Sequence, residues 1–456
     1  HARQPAGGRG AMTRAAGAFA AFRAALCAAV RAAMGAAVFA AALPLGAETY
    51  AITGGAVHTL GAAGVIERGT VVVRDGKIAA VGASVPVPAD AVRIDATGKI
   101  VTPGLFDPRS RFGIVEVSGV RETRDDAVKG SDFTASLDVA PAINPNSMLI
   151  PVNRIAGVTA AAVAPSTTEG GTIVAGRGAV ISLGSGEHWL RKDPAAMYVT
   201  LGENGSELAG GSRAAAILYL REAIEDARDY LAHRASYDEA RRRKYRLGRL
   251  DLAAFEPVLR REIPMVVSVQ RASDITAVLA LGKEFGLSIA VDGGAEAWMV
   301  ADALAKAGVP VILNPTVDLP WAFEGLGATL ANAARLAKAG VSIAFETGDS
   351  HNARNLTQLA GNAAANGLPY EQALAAITVN PARIYGMASP IEPGMRADLV
   401  IWSGDPLEVT SAPAQVFIAG EKIPMTSRQT LLRDRYLDLL RGRGALPPAY
   451  TKPSAP

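Results

Sequence analysis

Three hydrophobic patterns follow one another along the chain. From 49 to 100, short apolar runs alternate with turn residues. Tyr50-Ala51-Ile52-Thr53, Gly69-Thr70-Val71-Val72-Val73 and Lys77-Ile78-Ala79-Ala80-Val81 predict strands, and Asp75-Gly76 predicts a hairpin. The same pattern returns late, with Asp398 to Trp402 and Gln415 to Glu421 reading as strand, turn and strand. Two β stretches at opposite ends of one chain predict a single composite domain, 48–100 with 390–425.

Between them the pattern changes to buried strands alternating with amphipathic helices. The clearest strands are Gly157 to Val163, Pro264 to Val269, Leu287 to Val291, Val309 to Leu313 and Val341 to Phe345. Each is a near-continuous apolar run, as a strand covered on both faces requires. Helical periodicity falls at about 272–285, 295–307 and 328–339. Repeated strand–helix units of this size predict an α/β fold, a (β/α)8 TIM-like barrel over 101–389 beside the small composite β-sandwich; a doubly wound sheet is the alternative. In a barrel the chemistry sits at the C-terminal ends of the strands, so candidate residues are sought there.

Residues 211–249 read as one long helical stretch ending in Arg241-Arg242-Arg243-Lys244. Asp226, Asp229, Asp238 and Glu239 predict that this cluster is a solvated helix face rather than an anion or partner site. A further helix at about 427–441 precedes a Pro-rich end, within a terminal segment 426–456.

Charge and cysteine then narrow the function classes. The chain carries 46 Lys+Arg against 43 Asp+Glu, a net +3. Residues 1–47 hold five of the arginines (Arg3, Arg9, Arg14, Arg23, Arg31) and no acid, so the remainder is slightly acidic. A nucleic-acid partner therefore loses its main argument, a clustered positive surface. The single cysteine, Cys27, lies in the same segment, which excludes disulfides, thiolate metal sites and a Cys nucleophile from the body. Residues 12–47 read as a secretory signal, with arginines ahead of an uncharged run from Ala32 to Leu45 and a cleavage point at Ala47–Glu48; an uncleaved N-terminal anchor is the alternative. The expected location is periplasmic or otherwise exported.

Val101-Thr102-Pro103-Gly104-Leu105-Phe106-Asp107 resembles the first barrel strand of the amidohydrolase superfamily, in its imidazolonepropionase-like branch. Ala142-Ile143-Asn144-Pro145, Ala156-Gly157-Val158-Thr159 and Leu201-Gly202-Glu203-Asn204 fit the same branch. So do Thr347-Gly348-Asp349, the stretch Ala376 to Ala382, and Ile391 to Leu399 as the re-entry into the β domain. The resemblance covers about 50–425. It implies a hydrolase of non-peptide C–N bonds with zinc or another divalent metal at the strand ends. Such a metal would lower the pKa of a bound water and polarise the carbonyl. The ligands it implies are a His-x-His pair after the first strand, two further histidines, and an Asp after the last strand.

Here the chain departs from the pattern. Where the His-x-His pair is expected it has Arg109-Ser110-Arg111, and a guanidinium offers no lone pair to a metal. Ser268-Val269-Gln270 and Val291-Asp292-Gly293 fall where later histidines are expected, and carry none. Of the usual set Asp349 alone remains. Among the histidines outside the leader, His58 reads as structural, His188 as a loop residue and His233 as solvated; His351, two residues after Asp349, is the best placed. Oxygen ligation of a hard cation by Asp349, Glu203 and Asp292 stays open.

The expectation is accordingly an amidohydrolase-like protein with Asp349 as the catalytic candidate, Arg109, Arg111, Gln270 and His351 as ligand-binding candidates, and no metal ligand or cofactor. Ordinary metal-dependent turnover is lost, and a small, anionic ligand or a partner is bound. The alternative is an active hydrolase that is metal-free or uses oxygen ligands, with Asp349 as base. A homo-oligomer or a pairing with a metal-competent homologue is left open.

Overall fold

Two eight-stranded sheets organise the chain. The computed structural model describes residues 48–442 apart from 131, 132, 187, 388 and 389; the leader and the Pro-rich end lie outside them. The smaller sheet begins with β1 (Tyr50–His58), β2 (Val65–Arg74) and β3 (Lys77–Gly82), followed by β4 (Val92–Asp95) and β5 (Ile100–Pro103). It is completed by β14 (Leu399–Trp402), β15 (Pro413–Ile418) and β16 (Glu421–Lys422). Its order is β16-β15-β14-β5-β1-β2-β3, with β4 also on β1, so strands from both ends share ladders.

Two tight turns meet where these halves join. Asp75 and Gly76 (φ 50° and 75°) turn between β2 and β3, and Ala419 and Gly420 (φ 51° and 76°) turn between β15 and β16. Positive φ at both central positions is the hairpin geometry that Gly tolerates best. A Cβ on Gly76 would stand 2.9 Å from the Ala419 carbonyl oxygen, so this contact also needs the missing side chain.

The larger sheet is a nearly closed barrel. It runs β13 (Ile343–Phe345), β12 (Val311–Leu313), β11 (Ile289–Gly293), β10 (Met265–Val269), β9 (Leu190–Thr200), β8 (Val174–Ser182), β7 (Val158–Val163), β6 (Leu105–Ser110). The sequence reading puts the start of the barrel at residue 101. The change of sheet falls instead at Gly104, where a Cβ would lie 2.1 Å from Thr159 Oγ1. β5 before it pairs with β14, and β6 after it pairs with β7.

One strand departs from uniform strand–helix alternation. β8 runs antiparallel to both β7 and β9, while the other neighbouring pairs are parallel. The edge strands β13 and β6 stand next to each other. Around that seam Phe106 N donates to Ile377 O at 2.9 Å, and Arg111 N donates to Ser350 Oγ at 2.6 Å.

The helix expected at 272–285 spans Ala272–Phe285 and stops at Gly286 in the left-handed conformation. The stretch 211–249 is not one helix. A 20-residue helix ends at Ala232, and the basic cluster follows a short turn of helix, Arg234–Asp238. Arg243 pairs with buried Asp226, and Arg242 with Asp229, so the cluster folds back on the acids of the preceding helix. Among the described residues, no helix is long and apolar enough to cross a membrane.

Candidate functional site

At the C-terminal end of β6 the side chains of Arg109 and Arg111 reach different acids. Arg109 points into the barrel, where its Nη1 lies 3.3 Å from Asp292 Oδ2 on β11 and 4.0 Å from Glu346 Oε2 just after β13. Arg111 turns to the seam, 3.1 Å from Asp349 Oδ1 and 3.5 Å from Asp126 Oδ2. Asp126 also takes the Arg124 guanidinium at 3.3 Å. Burial pushes the Asp126 carboxyl up, but the Arg124 and Arg111 charges outweigh it and hold it below the usual range.

The barrel interior below Arg109 is a closed polar cluster. Asp107 is fully buried, and its carboxylate accepts the Arg109 backbone N–H at 3.1 Å. Burial pushes its pKa up to about 7. Burial and the neighbouring Asp292 likewise raise Glu346, while Arg109 pulls it back. Asp292 and Glu346, beside it, raise the Arg109 pKa in turn. Tyr198 and Tyr385 close the floor with their hydroxyls 3.2 Å apart, and Tyr385 donates to the Pro108 carbonyl. Burial raises both phenols, so they stay protonated donors. Three atoms of the cluster, Arg109 Nε, Asp292 Oδ1 and Glu346 Oε2, are buried without a hydrogen-bond partner.

Above it lies a cavity of about 180 Å³ lined by Arg109, Ser110, Arg111, Ala164, Pro165, Ser166 and Gly348. Its lining includes two arginines and two serines and no acid, and the buried Ser110 hydroxyl donates to the Ala162 carbonyl at 3.1 Å. A second cavity of about 270 Å³ on the seam side is lined by Arg111, Asp349, Ser350 and His351, among others. Asp349, with 44% of its side chain exposed, is open to solvent there.

The other residues singled out in the sequence fall elsewhere. Gln270 accepts the Ala295 backbone N–H at 3.2 Å and fills the space over Gly293, beside the loop after β11. His58 bonds Glu371 at 2.8 Å, and His233 lies 2.9 Å from the Asp229 carbonyl. The three carboxylates considered for a hard cation are each taken by a different arginine: Asp349 by Arg111, Asp292 by Arg109, and Glu203 by Arg213 at 3.5 Å. Among the described residues no group of three or more His, Cys, Asp or Glu could hold a metal ion. A divalent cation does not fit the residues present, because the group facing Asp292 and Glu346 is itself a cation without a lone pair.

Asp107, Asp126 and Glu346 were not singled out from sequence. Asp292 was considered only as an oxygen ligand. The available signal was an acid inside an apolar strand, as in Ile289-Ala290-Val291-Asp292, since buried carboxylates require a partner.

Residues 215–424 match the model of the amidohydrolase family. That stretch carries an amidohydrolase family domain. An amidohydrolase of known structure from Thermotoga maritima MSB8 is 28% identical, with a TM-score of 0.73 over 82% of this chain and 99% of that one. Amidohydrolase tasK of Hapsidospora irregularis is 26% identical over 395 residues, 78% of this chain and 39% of that protein. Imidazolonepropionase of Geobacillus sp. (strain WCH70) is 51% identical over 55 residues, 10% of this chain and 13% of that protein. The chain thus spans less than half the length of either curated relative. The barrel with its second sheet agrees with this family, and its relatives include hydrolases.

Proposed function

We propose that the barrel mouth of this amidohydrolase-domain protein binds a small anion where the family would place a catalytic metal, and that ordinary metal-dependent turnover has been lost. The observation that carries this reading is the 180 Å³ cavity whose polar walls are Arg109, Arg111, Ser110 and Ser166, with no acid among them. A water occupies about 30 Å³ of liquid, so the space suits a group of carboxylate or phosphate size. The guanidinium fork matches either group. Arg109 and Arg111 stand where the family resemblance places the His-x-His ligands. The buried acids opposite them hold the two guanidiniums in position.

The binding test is calorimetric titration of the purified chain with inorganic phosphate and with acetate. Saturable binding that weakens about ten-fold or more in Arg109→Gln and in Arg111→Gln supports the proposal, since a charge-assisted contact contributes roughly 1.5–3 kcal/mol. Absence of binding to either anion overturns it.

A second reading retains hydrolysis, with Asp349 as base and Arg111 stabilising the developing oxyanion. The half-exposed Asp349 carboxylate beside Arg111 in the seam cavity favours it. Hydrolysis of small amides by metal-stripped protein, abolished in Asp349→Asn, would establish this reading over the first. Export is part of the proposal and rests on residues 12–47, which lie outside the described residues; fractionation of expressing cells and N-terminal sequencing test it.

A further inference from the structure

A larger cavity, of about 560 Å³, lies between the segment from Pro145 to Arg154 and the end of β8. β8 runs downward relative to its neighbours, so its last residue, Ser182, pairs with Ala160 near the start of β7, whereas Ser110 pairs with Val163 at that strand's end. The cavity opens beside Ser182 and shares no lining residue with the two cavities around Arg111. Its wall mixes the apolar Ile150, Ile181 and Trp189 with serine and asparagine side chains, and among the described residues Arg154 is the charged one. Its volume falls in the range typical of small-molecule sites.

Arg154 differs from six other part-buried arginines. Arg109, Arg111, Arg177, Arg191, Arg213 and Arg396 each have a carboxylate within 3.5 Å. Among the described residues Arg154 has none within 4.0 Å. Its Nη1 donates to the Leu183 carbonyl at 3.1 Å, and its Nε is buried without a partner. Burial lowers its pKa, and Glu421 only partly offsets this. Glu421 is exposed and already accepts a hydrogen bond from Ser185 Oγ at 3.0 Å. A half-buried guanidinium with no carboxylate within 4.0 Å among the described residues attracts an anion, and the Trp189 ring and Ile181 offer an apolar surface in the same wall.

We propose that this cavity binds a small organic anion with a flat apolar body, its carboxylate on Arg154 and its body against Trp189. The site is separate from the barrel mouth and independent of any reaction there. The probe is 2-naphthoate, titrated calorimetrically into the full chain. Saturable binding is expected, weakened about ten-fold or more in Arg154→Gln and weakened in Trp189→Leu, which keeps apolar bulk. Arg154→Lys should recover part of the affinity. Arg221→Gln, in an exposed ion pair with Glu284, should leave it unchanged. The neutral 2-naphthamide should bind about ten-fold or more weakly in the wild type, a comparison that needs no variant to fold. The proposal is overturned if the wild type does not bind naphthoate, or if the amide binds equally well. Equal affinity in Arg154→Gln, or an equal loss in Arg221→Gln, overturns it as well.

Discussion

Arg111 Nη2 stands 3.1 Å from Asp349 Oδ1, although the two residues are 238 positions apart. The pair joins the end of β6 to the segment after β13, across the seam that has no ladder of its own. Because 44% of the Asp349 side chain is exposed, water screens the attraction. The expected stability cost of Asp349→Asn is therefore small, about 0–1 kcal/mol in urea denaturation. A larger loss would mean that this pair holds the barrel closed.

Arg109→Gln should behave differently. Its partner Asp292 has only 2% of its side chain exposed, so removing the guanidinium strands a charge in the barrel interior. Breaking a buried pair on one side typically costs about 3–5 kcal/mol. The same denaturation series should place Arg109→Gln well below Arg111→Gln, whose loss leaves Asp126 still paired with Arg124. Equal midpoints for the two variants would contradict the interior placement of Arg109.

The barrel interior also fixes a direction for pH dependence. Asp107 titrates at about 7 in the folded chain and well below that when unfolded, because burial disfavours its charge. Glu346 is shifted the same way. The folded state thus binds more protons than the unfolded state between about pH 4 and pH 7, and stability must fall as pH rises through that window. Each such group contributes a slope of up to about 1.4 kcal/mol per pH unit. Asp107→Asn mimics the protonated acid and should flatten the slope. Denaturation midpoints at several pH values check this, and a wild type whose stability rises steadily from pH 5 to 7 would refute it.

The elements were legible where one local pattern decided them. The strands near 265–269 and 311–313 are unbroken apolar runs, and the helix Ala272–Phe285 carries its own stop in Gly286. The hairpin β8–β9 was not legible. Gly176 and Gly178 interrupt the first strand, and the second opens with Arg191-Lys192-Asp193-Pro194, which reads as a loop. Only its second half, from Ala195, is buried.

The site divides along the same line. That Arg111 should find Asp349 follows from the first and last strands of a barrel being neighbours. That Arg109 should find Asp292 depends on which face of β11 turns inward, and register with β10 and β12 sets this rather than any local signal. Arg154 carried no signal at all, because its isolation from carboxylates exists only after folding.

The last prediction concerns metal. Zinc needs nitrogen, sulfur or well-placed oxygen donors, and the acids that could serve are engaged by Arg109 and Arg111. Wild-type protein grown with added zinc should therefore lose it on gel filtration and show no stoichiometric zinc by elemental analysis. The double variant Arg109→His with Arg111→His removes two cations and adds two imidazoles beside Asp292, Glu346 and Asp349. It should retain measurably more zinc than the wild type, although the other histidines that the family resemblance implies are still absent. Chelator treatment should then lower the thermal midpoint of the double variant and leave that of the wild type unchanged, because a metal that binds only the folded state stabilises it by mass action. Stoichiometric zinc in the wild type, with a chelator-sensitive midpoint, would show that the two arginines leave room for the metal, and the anion reading of the barrel mouth would fall with that result.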